Sequence, residues 1–409
     1  MTAAGATLLT LAGHALLALA VVGGVLCLLA GAFARRHRPD SPGAGTAPAT
    51  AITLLKPLCG EEPGLAANLA SFVDQDHAGP LQVVFGVADA RDPALAVVAA
   101  LQATRPAAHI DIVVDGRRRG RNAKVANLIA MMDVARHGLI VVADADMRVP
   151  PDHLRRIAAL AARHPGDVVT SLYFGQARTG AWSMLAAMGI SYHFLPAVIL
   201  GHALGMARPC MGSTVALDRA TLDAAGGFDA LADVLADDWA LGEAVRRQGG
   251  TCLLAPGIIA HGCADASLGD LVTHELRWSM TIRAIEPLGH LGSVVTHPVP
   301  LALLGLALTG PVAPAFGVLG LAVLARAWLK LRIDLVTGAS SGPFWAMPLR
   351  DMLGFAVFLA AWGMRTVEWR GRRFVLKRDG TLRADPPTRP AVPLREVEPP
   401  GVEIGRTEP

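Results

Sequence analysis

From Thr7 to Phe33 the chain reads TLLTLAGHALLALAVVGGVLCLLAGAF, with no Asp, Glu, Lys or Arg. About 20 apolar residues suffice to cross a bilayer as a helix, so this run makes a membrane one of the two solvents in which the chain must fold. Its flanks give it a direction. Arg35, Arg36, His37 and Arg38 follow the run, whereas a cleaved signal carries its positive charge ahead of the apolar stretch and a small-residue cleavage site behind it. Residues 1–38 therefore read as a retained anchor, with His14 a tolerated polar residue within it. The positive-inside rule places the Arg-rich end, and the domain that follows, in the cytoplasm.

A second uncharged stretch, Leu291 to Ala325, is long enough for two crossings, with Pro311-Val312-Ala313-Pro314 as the turn between them. A third apolar segment is centred on Met352 to Met364 and extends backwards through Phe344-Trp345. Arg326, Lys330 and Arg332 mark one cytoplasmic edge; Arg365, Arg370, Arg372 and Arg373 mark another. Two edges on the same side cannot flank a single crossing. Either the third segment is re-entrant or interfacial, or Leu291 to Ala325 crosses only once. Residues 286–376 thus form a C-terminal membrane region of two or three helices, with an interfacial helix among the alternatives. The Pro-rich tail, residues 384–409, reads as disordered.

Between these regions the composition changes. The whole chain of 409 residues is 52% hydrophobic and only 17% charged, against about a quarter charged in soluble proteins, yet most of its charges fall in residues 50–285. The formal net charge is +3, and arginine far exceeds lysine throughout, which gives no basic stripe and no nucleic-acid partner. The five cysteines (Cys27, Cys59, Cys210, Cys252, Cys263) are scattered without a CxxC pair. They support neither a disulfide framework nor a structural zinc site, and fit a reducing, cytosol-facing domain.

Residues 50–285 alternate strand-length runs with helical ones. Ile52 to Leu55, Gln82 to Val87, Ile110 to Val114 and Leu139 to Ala143 predict strands; Gly64 to Asp74, Pro93 to Thr104 and Ala123 to His137 predict helices. Such alternation implies an α/β domain with a mostly parallel sheet, whose ligands lie at the carboxyl ends of its strands. Three candidate sites carry carboxylates, two of them at such places. Asp89 and Asp92 follow the second strand, and Asp144-Ala145-Asp146 follows the fourth. In Asp-Ala-Asp the two acids leave the same face of an extended segment, because side chains alternate with a period of two, and there they can hold a divalent cation against a diphosphate. The third group, Asp237-Asp238 before a helix-like stretch, has two readings: a helix cap, the commoner fate of such a pair, or a reactive carboxylate. Further on, His274 and Arg277 share a helical face with Trp278 beside them. The stretch His261 to Val295 reads either as an amphipathic surface segment or as a plain connector.

Together these elements resemble the membrane-bound GT-A glycosyltransferases of the ceramide glucosyltransferase type, including the bacterial branch associated with hopanoid biosynthesis. The resemblance rests on eight pieces in order: Lys56-Pro57-Leu58-Cys59-Gly60, Asp89 to Pro93, Asn122 to Leu128, Asp144 to Val149, Cys210 to Ser213, Ala224 to Phe228, Asp237-Asp238-Trp239, and His274 to Trp278. It implies a Rossmann-like GT-A fold between N- and C-terminal transmembrane helices. It assigns Asp89, Asp92 and Lys124 to the UDP-sugar, Asp144 and Asp146 to the metal (Mg2+ or Mn2+) and the diphosphate, and Asp238 to the catalytic base with Asp237 beside it. Arg277 and Trp278 match the end of the (Q/R)xxRW motif, which the resemblance assigns to holding the diphosphate of the UDP-sugar and organising the acceptor end, and whose first position is His274 here; His193 falls where ceramide glucosyltransferases have a histidine near the active site.

The implied activity is transfer of a sugar from UDP to a membrane lipid alcohol with inversion at the anomeric carbon, in a multi-pass protein of a bacterial inner membrane. The arginine- and alanine-rich composition looks bacterial, and the resembling bacterial branch implies a hopanoid polyol such as bacteriohopanetetrol with UDP-N-acetylglucosamine as donor. The alternatives are a ceramide glucosyltransferase using UDP-glucose, or a processive polysaccharide synthase, which shares these motifs but usually carries more membrane helices to form a channel.

Overall fold

A computed structural model describes residues 3–37, 49–364, 366–369, 372–377 and 381–384. Arg38, Arg365, Arg370 and the Pro-rich tail beyond Ala384 lie outside the described residues. The first element, α1 (Ala3–Ala34), is a helix of 32 residues, about 48 Å at 1.5 Å per residue. That exceeds the roughly 30 Å of bilayer hydrocarbon. Arg35–His37 closes it with a single 3-10 turn.

The α/β domain begins at β1 (Ile52–Pro57) and continues through α2 (Leu65–Val73), β2 (Leu81–Val87), α3 (Ala94–Thr104), β3 (His109–Val114), α4 (Ala123–Met132), β4 (Leu139–Ala143), β5 (Met147–Arg148), α5 (His153–Arg163) and β6 (Val168–Ala177). After α6 (Ala181–Gly189) and α7 (Leu195–Ala203) come β7 (Thr214–Asp218), α8 (Arg219–Ala224), α9 (Asp237–Arg247), β8 (Cys252–Cys263) and α10 (Leu268–Ile285). The sheet order is β3-β2-β1-β4-β7-β6-β8-β5. β1, β2, β3 and β4 are parallel, as are β6 and β8, while β7 and β5 run against their neighbours. This is the mixed, mostly parallel sheet that the alternation implied. Helix α4 is shorter than predicted, because after Met132 the chain turns back toward β4 instead of continuing to His137.

Both faces of the sheet are covered, as parallel sheets require. Ile52 and Leu54 of β1 join a core with Leu65, Leu69 and Phe72 of α2 and Leu154 and Ile157 of α5. Leu55, one residue on, faces the opposite core with Val125 and Leu128 of α4 and Leu241 of α9. Each buried side chain of this size contributes about 1.5–3 kcal/mol relative to exposure. The result is a rigid plate with the ends of β2 and β4 facing one cleft.

The joint to the apolar helices is a segment that the sequence reading did not single out. Helix α6, a π turn (Ile190–Phe194) and α7 form one rod. Ala181–Ala203 is apolar enough to span a bilayer, but 72% of its window is buried within the protein against 33% for the α1 window. Its surroundings are therefore mostly protein. Leu185, Ile190, Leu195 and Ile199 pack with Cys27 and Ala30 of α1, Leu172 and Phe174 of β6, and Leu329 and Ile333 further along the chain.

The apolar region after α10 consists of α11 (Pro287–Gly292), α12 (Pro298–Thr309), α13 (Ala313–Thr337) and α14 (Met347–Gly363). The segment Pro287–Thr296 meets α12 at 71°, a broken span or a re-entrant loop. Among the described residues, four helices are long and apolar enough to cross a membrane, or five with the bent pair. Arg326 and Lys330, predicted to mark a cytoplasmic edge, are instead buried. Arg326 donates to both oxygens of Asp351 (2.9 and 2.6 Å) and to the Tyr192 carbonyl (2.6 Å). Lys330 reaches Asp334, the Tyr192 hydroxyl (3.2 Å) and Ser340 (2.9 Å). A cation that pairs internally need not mark a water boundary.

Both ends of α14 attach to the α/β domain. Near its start Arg350 pairs with Glu275 of α10 (2.6 Å). At its end Arg283 of α10 donates to the carbonyls of Trp362 (3.2 Å) and Met364 (2.8 Å). The chain then forms β9 (Thr366–Trp369), β10 (Arg372–Leu376) and β11 (Leu382–Ala384), and Phe374 packs with Leu235 and Met280.

Breaking a buried ion pair by removing one partner costs about 3–5 kcal/mol, whereas replacing both by apolar residues is often neutral. Arg326→Met should therefore lower the thermal midpoint of the detergent-solubilised protein markedly, and Arg326→Met with Asp351→Leu should recover most of the loss. A double variant no more stable than the single one would show that the pair is not a closed unit.

Candidate functional site

The cleft is built around a half-buried lysine, Lys124. Asn122 caps α4: its side-chain oxygen accepts from the amides of Lys124 (3.0 Å) and Val125 (3.2 Å), as a good N-cap residue does. The same side chain donates to the Val234 carbonyl (2.7 Å) and toward Asp237 (3.4 Å), tying the start of α4 to the start of α9. Lys124 consequently points between two acidic groups, 2.7 Å from Asp144 and 3.4 Å from Asp237. Burial by itself would lower its pKa, but Asp144, Asp237 and Asp238 hold the ammonium well above its usual range.

Asp144-Ala145-Asp146 is not an extended segment as predicted. It turns, with the Met147 amide donating to the Asp144 carbonyl (3.3 Å), and its carboxylates diverge. Asp144 meets Lys124, while Asp146 meets His261 of β8 at 3.1 Å. Burial pushes Asp144 up against the pull of Lys124. Burial acts on Asp146 in the same direction, but His261 outweighs it and keeps that carboxyl below the ordinary value. His261 in turn is held protonated by Asp146 against its own burial. Beneath the turn Lys56, fully buried, donates to the Asp144 carbonyl (2.8 Å) and lies 3.7 Å from the centre of the Phe72 ring. Burial pushes its pKa down to about 7 despite Asp144 and Asp146.

Asp238 is on the other side of Lys124. It belongs to the first turn of α9 but makes no capping bond across it; one oxygen accepts from its neighbour's amide at Trp239 (2.8 Å) and the other from the Gly212 amide (2.7 Å). Burial and the adjacent Asp237 push its pKa up to about 6. A carboxylate so placed is a stronger base than a solvated one and is still ionised at neutral pH.

A cavity of about 300 Å³ opens in front of these groups, lined by Asp89, Asp92, Lys124, Asn127, Asp144 and Asp146 among others; Asp237 and Asp238 border a smaller one beside it, which Lys124 shares. Asp92 has a structural task, accepting from the amides of Gly60 (3.0 Å) and Ala94 (2.9 Å). Asp89 is exposed at the rim and pairs with Arg91 (3.2 Å). His274 lies 3.5 Å from Asp265, and its ring centre is 4.3 Å from that of Trp278. Trp278 stands edge-on to His261 at 6.2 Å, and Arg277 is half-buried on the same helix. His193 is not in this group. It stacks on His297 (4.4 Å) at the joint with the apolar helices, and its sequence neighbour Phe194 has its ring 5.2 Å from that of Tyr173.

Sequence reasoning gave Lys56 no role and did not see His261 or Tyr173. Tyr173 has its ring 5.5 Å from that of His261. The only local signal for His261 was a polar residue inside the apolar strand Ile258-Ile259-Ala260.

Among the described residues no three His, Cys, Asp or Glu side chains are already gathered around a metal position. Asp146 nevertheless has one buried carboxylate oxygen without a hydrogen-bond partner. A bare anionic oxygen, with a second carboxylate two residues away in the same turn, offers the hard oxygen donors that a divalent cation takes, so these residues fit one.

A doubly covered mixed sheet with its carboxylates at strand ends and a raised-pKa acid across a lysine defines a GT-A glycosyltransferase. The model of Glycosyl transferase family 21 matches residues 15–382, and the chain belongs to that family. Ceramide glucosyltransferase 1 of Caenorhabditis elegans is 22% identical over 345 residues, covering 81% of this chain and 73% of that protein. Among solved structures, a mannosyltransferase of Pyrobaculum calidifontis in complex with GDP-Man and Mn2+ shares the fold, with TM-score 0.50 and 20% identity over 86% of this chain and 99% of that one.

A charge-assisted bond is worth about 1.5–3 kcal/mol, or about 10- to 100-fold in affinity. Lys124→Met should weaken UDP binding by about that factor in titration calorimetry, with Lys124→Arg in between. UDP affinity within about twofold of the unaltered protein would remove Lys124 from the nucleotide site.

Proposed function

We propose that the chain moves a sugar from a UDP-sugar to a membrane lipid alcohol with inversion, and more narrowly N-acetylglucosamine from UDP-N-acetylglucosamine to a hopanoid polyol such as bacteriohopanetetrol. The observation that carries the reaction is Asp238: half-buried, oriented by the Gly212 amide, and raised to about 6. Asp238 takes the proton of the acceptor hydroxyl as that oxygen bonds to the anomeric carbon and UDP departs from the opposite face. An α-linked donor thus yields a β-linked glycolipid. Asp89 and Asp92 border the nucleotide; Lys124, Arg277 and Trp278 hold the diphosphate end; Asp237 keeps Asp238 basic. A divalent cation, Mg2+ or Mn2+, held by Asp144 and Asp146 would offset charge on the departing diphosphate.

The apolar helices supply the acceptor's solvent. In this reading α1, the bent pair ending in α12, and α13 cross a bacterial inner membrane with the α/β domain in the cytoplasm. Helix α14, attached to that domain at both ends, lies in the interface, which removes the conflict between two cytoplasmic edges. Three crossings give no polymer channel, which argues against a processive synthase. The hopanoid choice rests on the arginine- and alanine-rich composition together with the resemblance noted in the sequence. The similarity to a ceramide glucosyltransferase favours a second reading, UDP-glucose and ceramide. Membranes from an expressing strain, given labelled UDP-N-acetylglucosamine or UDP-glucose and either lipid, separate the two by mass spectrometry of the glycolipid. An α-linked product, or insoluble polymer, would exclude the proposed reaction.

Asp238→Asn should abolish turnover and spare UDP-sugar binding; equal losses of rate and binding would contradict its role as base. Because the base works only when ionised, kcat should fall as pH drops through about 6 and level off above it. Asp237→Asn removes the neighbouring negative charge, lowers the Asp238 pKa and should move this acidic limb to lower pH. A limb that does not move would assign it to another group.

A further inference from the structure

We propose that the buried cluster around Arg350 binds the polar head of the lipid acceptor through neutral hydroxyl or amide oxygens; this rests on the lipid-alcohol reading above. Arg350 is 6% exposed. Its Nη2 donates to Glu275 (2.6 Å), but its Nε and Nη1 are buried without a hydrogen-bond partner. The guanidinium lies flat on Gly189, where any Cβ would come within 2.1 Å of Nη2. On the other side a Cβ at Gly354 would lie 3.5 Å from Nη1 and 3.9 Å from the His297 ring. Four separate elements therefore converge here: the end of α6, α10, the bend before α12, and α14.

Leaving such donors unpaired in a low-dielectric place costs about 1–3 kcal/mol each, and an ionisable side chain among membrane segments marks a functional site by default. The charge balance narrows the ligand. Glu275 offsets Arg350, and Asp351 offsets Arg326 (2.6 Å), so no net positive charge awaits a phosphate. What is unmatched is hydrogen-bond donors, and neutral oxygens are their complement. Apolar walls stand next to them: Phe355 and Phe358 flank His297 at 5.4 and 5.5 Å.

The location fits an acceptor. Glu275 is on α10 three residues before Trp278, which flanks His261, the partner of Asp146. From His261 the ring contacts run through Tyr173 to Phe194, next in sequence to His193. A lipid with its tail along α12 and α14 and its head at Arg350 thus directs a hydroxyl toward the carboxylate cleft.

The test uses the full chain in phosphatidylcholine nanodiscs and a diazirine-bearing short-chain ceramide, with unlabelled bacteriohopanetetrol and phosphatidic acid as competitors. Photolabelling should map to residues 189–197 and 350–358 and be displaced by bacteriohopanetetrol but not by phosphatidic acid. Arg350→Met paired with Glu275→Leu keeps the cluster neutral; it should reduce labelling by about tenfold or more with UDP affinity unchanged, while Arg350→Lys retains part of it. Labelling equal to the unaltered protein, displacement by phosphatidic acid, or a parallel loss of UDP affinity would each overturn the proposal. Arg350-dependent labelling without glycolipid from either UDP-sugar would uphold the binding site and refute the transfer reading instead.

Discussion

One ammonium group placed among three carboxylates organises the catalytic face. Lys124 touches Asp144 and Asp237 and is close to Asp238, so it joins the end of β4 to the start of α9 across the cleft. Without it, four acids, Asp144, Asp146, Asp237 and Asp238, would face one another across two adjoining cavities, with His261, His274 and the half-neutral Lys56 acting on the Asp144–Asp146 side. Like charges at such spacing raise each other's pKa until protons bind. The local electrostatics therefore depend on a helix cap: Asn122 fixes the first turn of α4, which aims Lys124, and the same side chain bonds the chain just before Asp237.

That balance holds only for the empty cleft. A nucleoside diphosphate adds at least two negative charges, and Lys124 is already engaged by carboxylates. Further positive charge has to come with the substrate or from across the site. The unpartnered oxygen of Asp146 gives a cation a place, and in the proposed reading Arg277 would be a second source of positive charge for the diphosphate. Differential stabilisation of a departing anion needs such charges in place before reaction, which explains why the acids here are held apart in a turn and not merged along a strand.

The α/β architecture and the acidic strand ends were legible in sequence because both are local: strand-length apolar runs, helical spacing, and carboxylates directly after a strand. What was not legible depends on partners far along the chain. His261 acquires meaning only when β8 is laid beside β5, more than a hundred residues earlier in sequence. Arg326 and Lys330 looked like interface markers until Asp351 and the Tyr192 turn came into reach. The rod from Ala181 to Ala203 escaped notice because His193, Pro196 and His202 interrupt its apolar pattern. The Asp-Ala-Asp turn was misread as strand because alternation describes a residue's face only while the backbone stays extended.

Helix α10 shows how two solvents can meet at one reaction. Residues three apart on a helix are neighbours, so Glu275 and Trp278 lie side by side, the first bound to Arg350 among the apolar helices and the second against His261 in the cleft. Arg283, two turns further on, holds the far end of α14. α10 thus holds both ends of α14, through Glu275 at its middle and Arg283 in its last turn, with Arg277 and Trp278 between the two contacts. Any displacement of α14, for instance by a lipid entering beside it, has to be taken up by α10, because neither the buried pair at Glu275 nor the packed core can stretch. On the proposed topology the membrane-facing helix and the helix that carries Arg277 and Trp278 are consequently tied at two separate points, and loss of the Glu275 contact alone leaves the Arg283 contact to hold α10 in place.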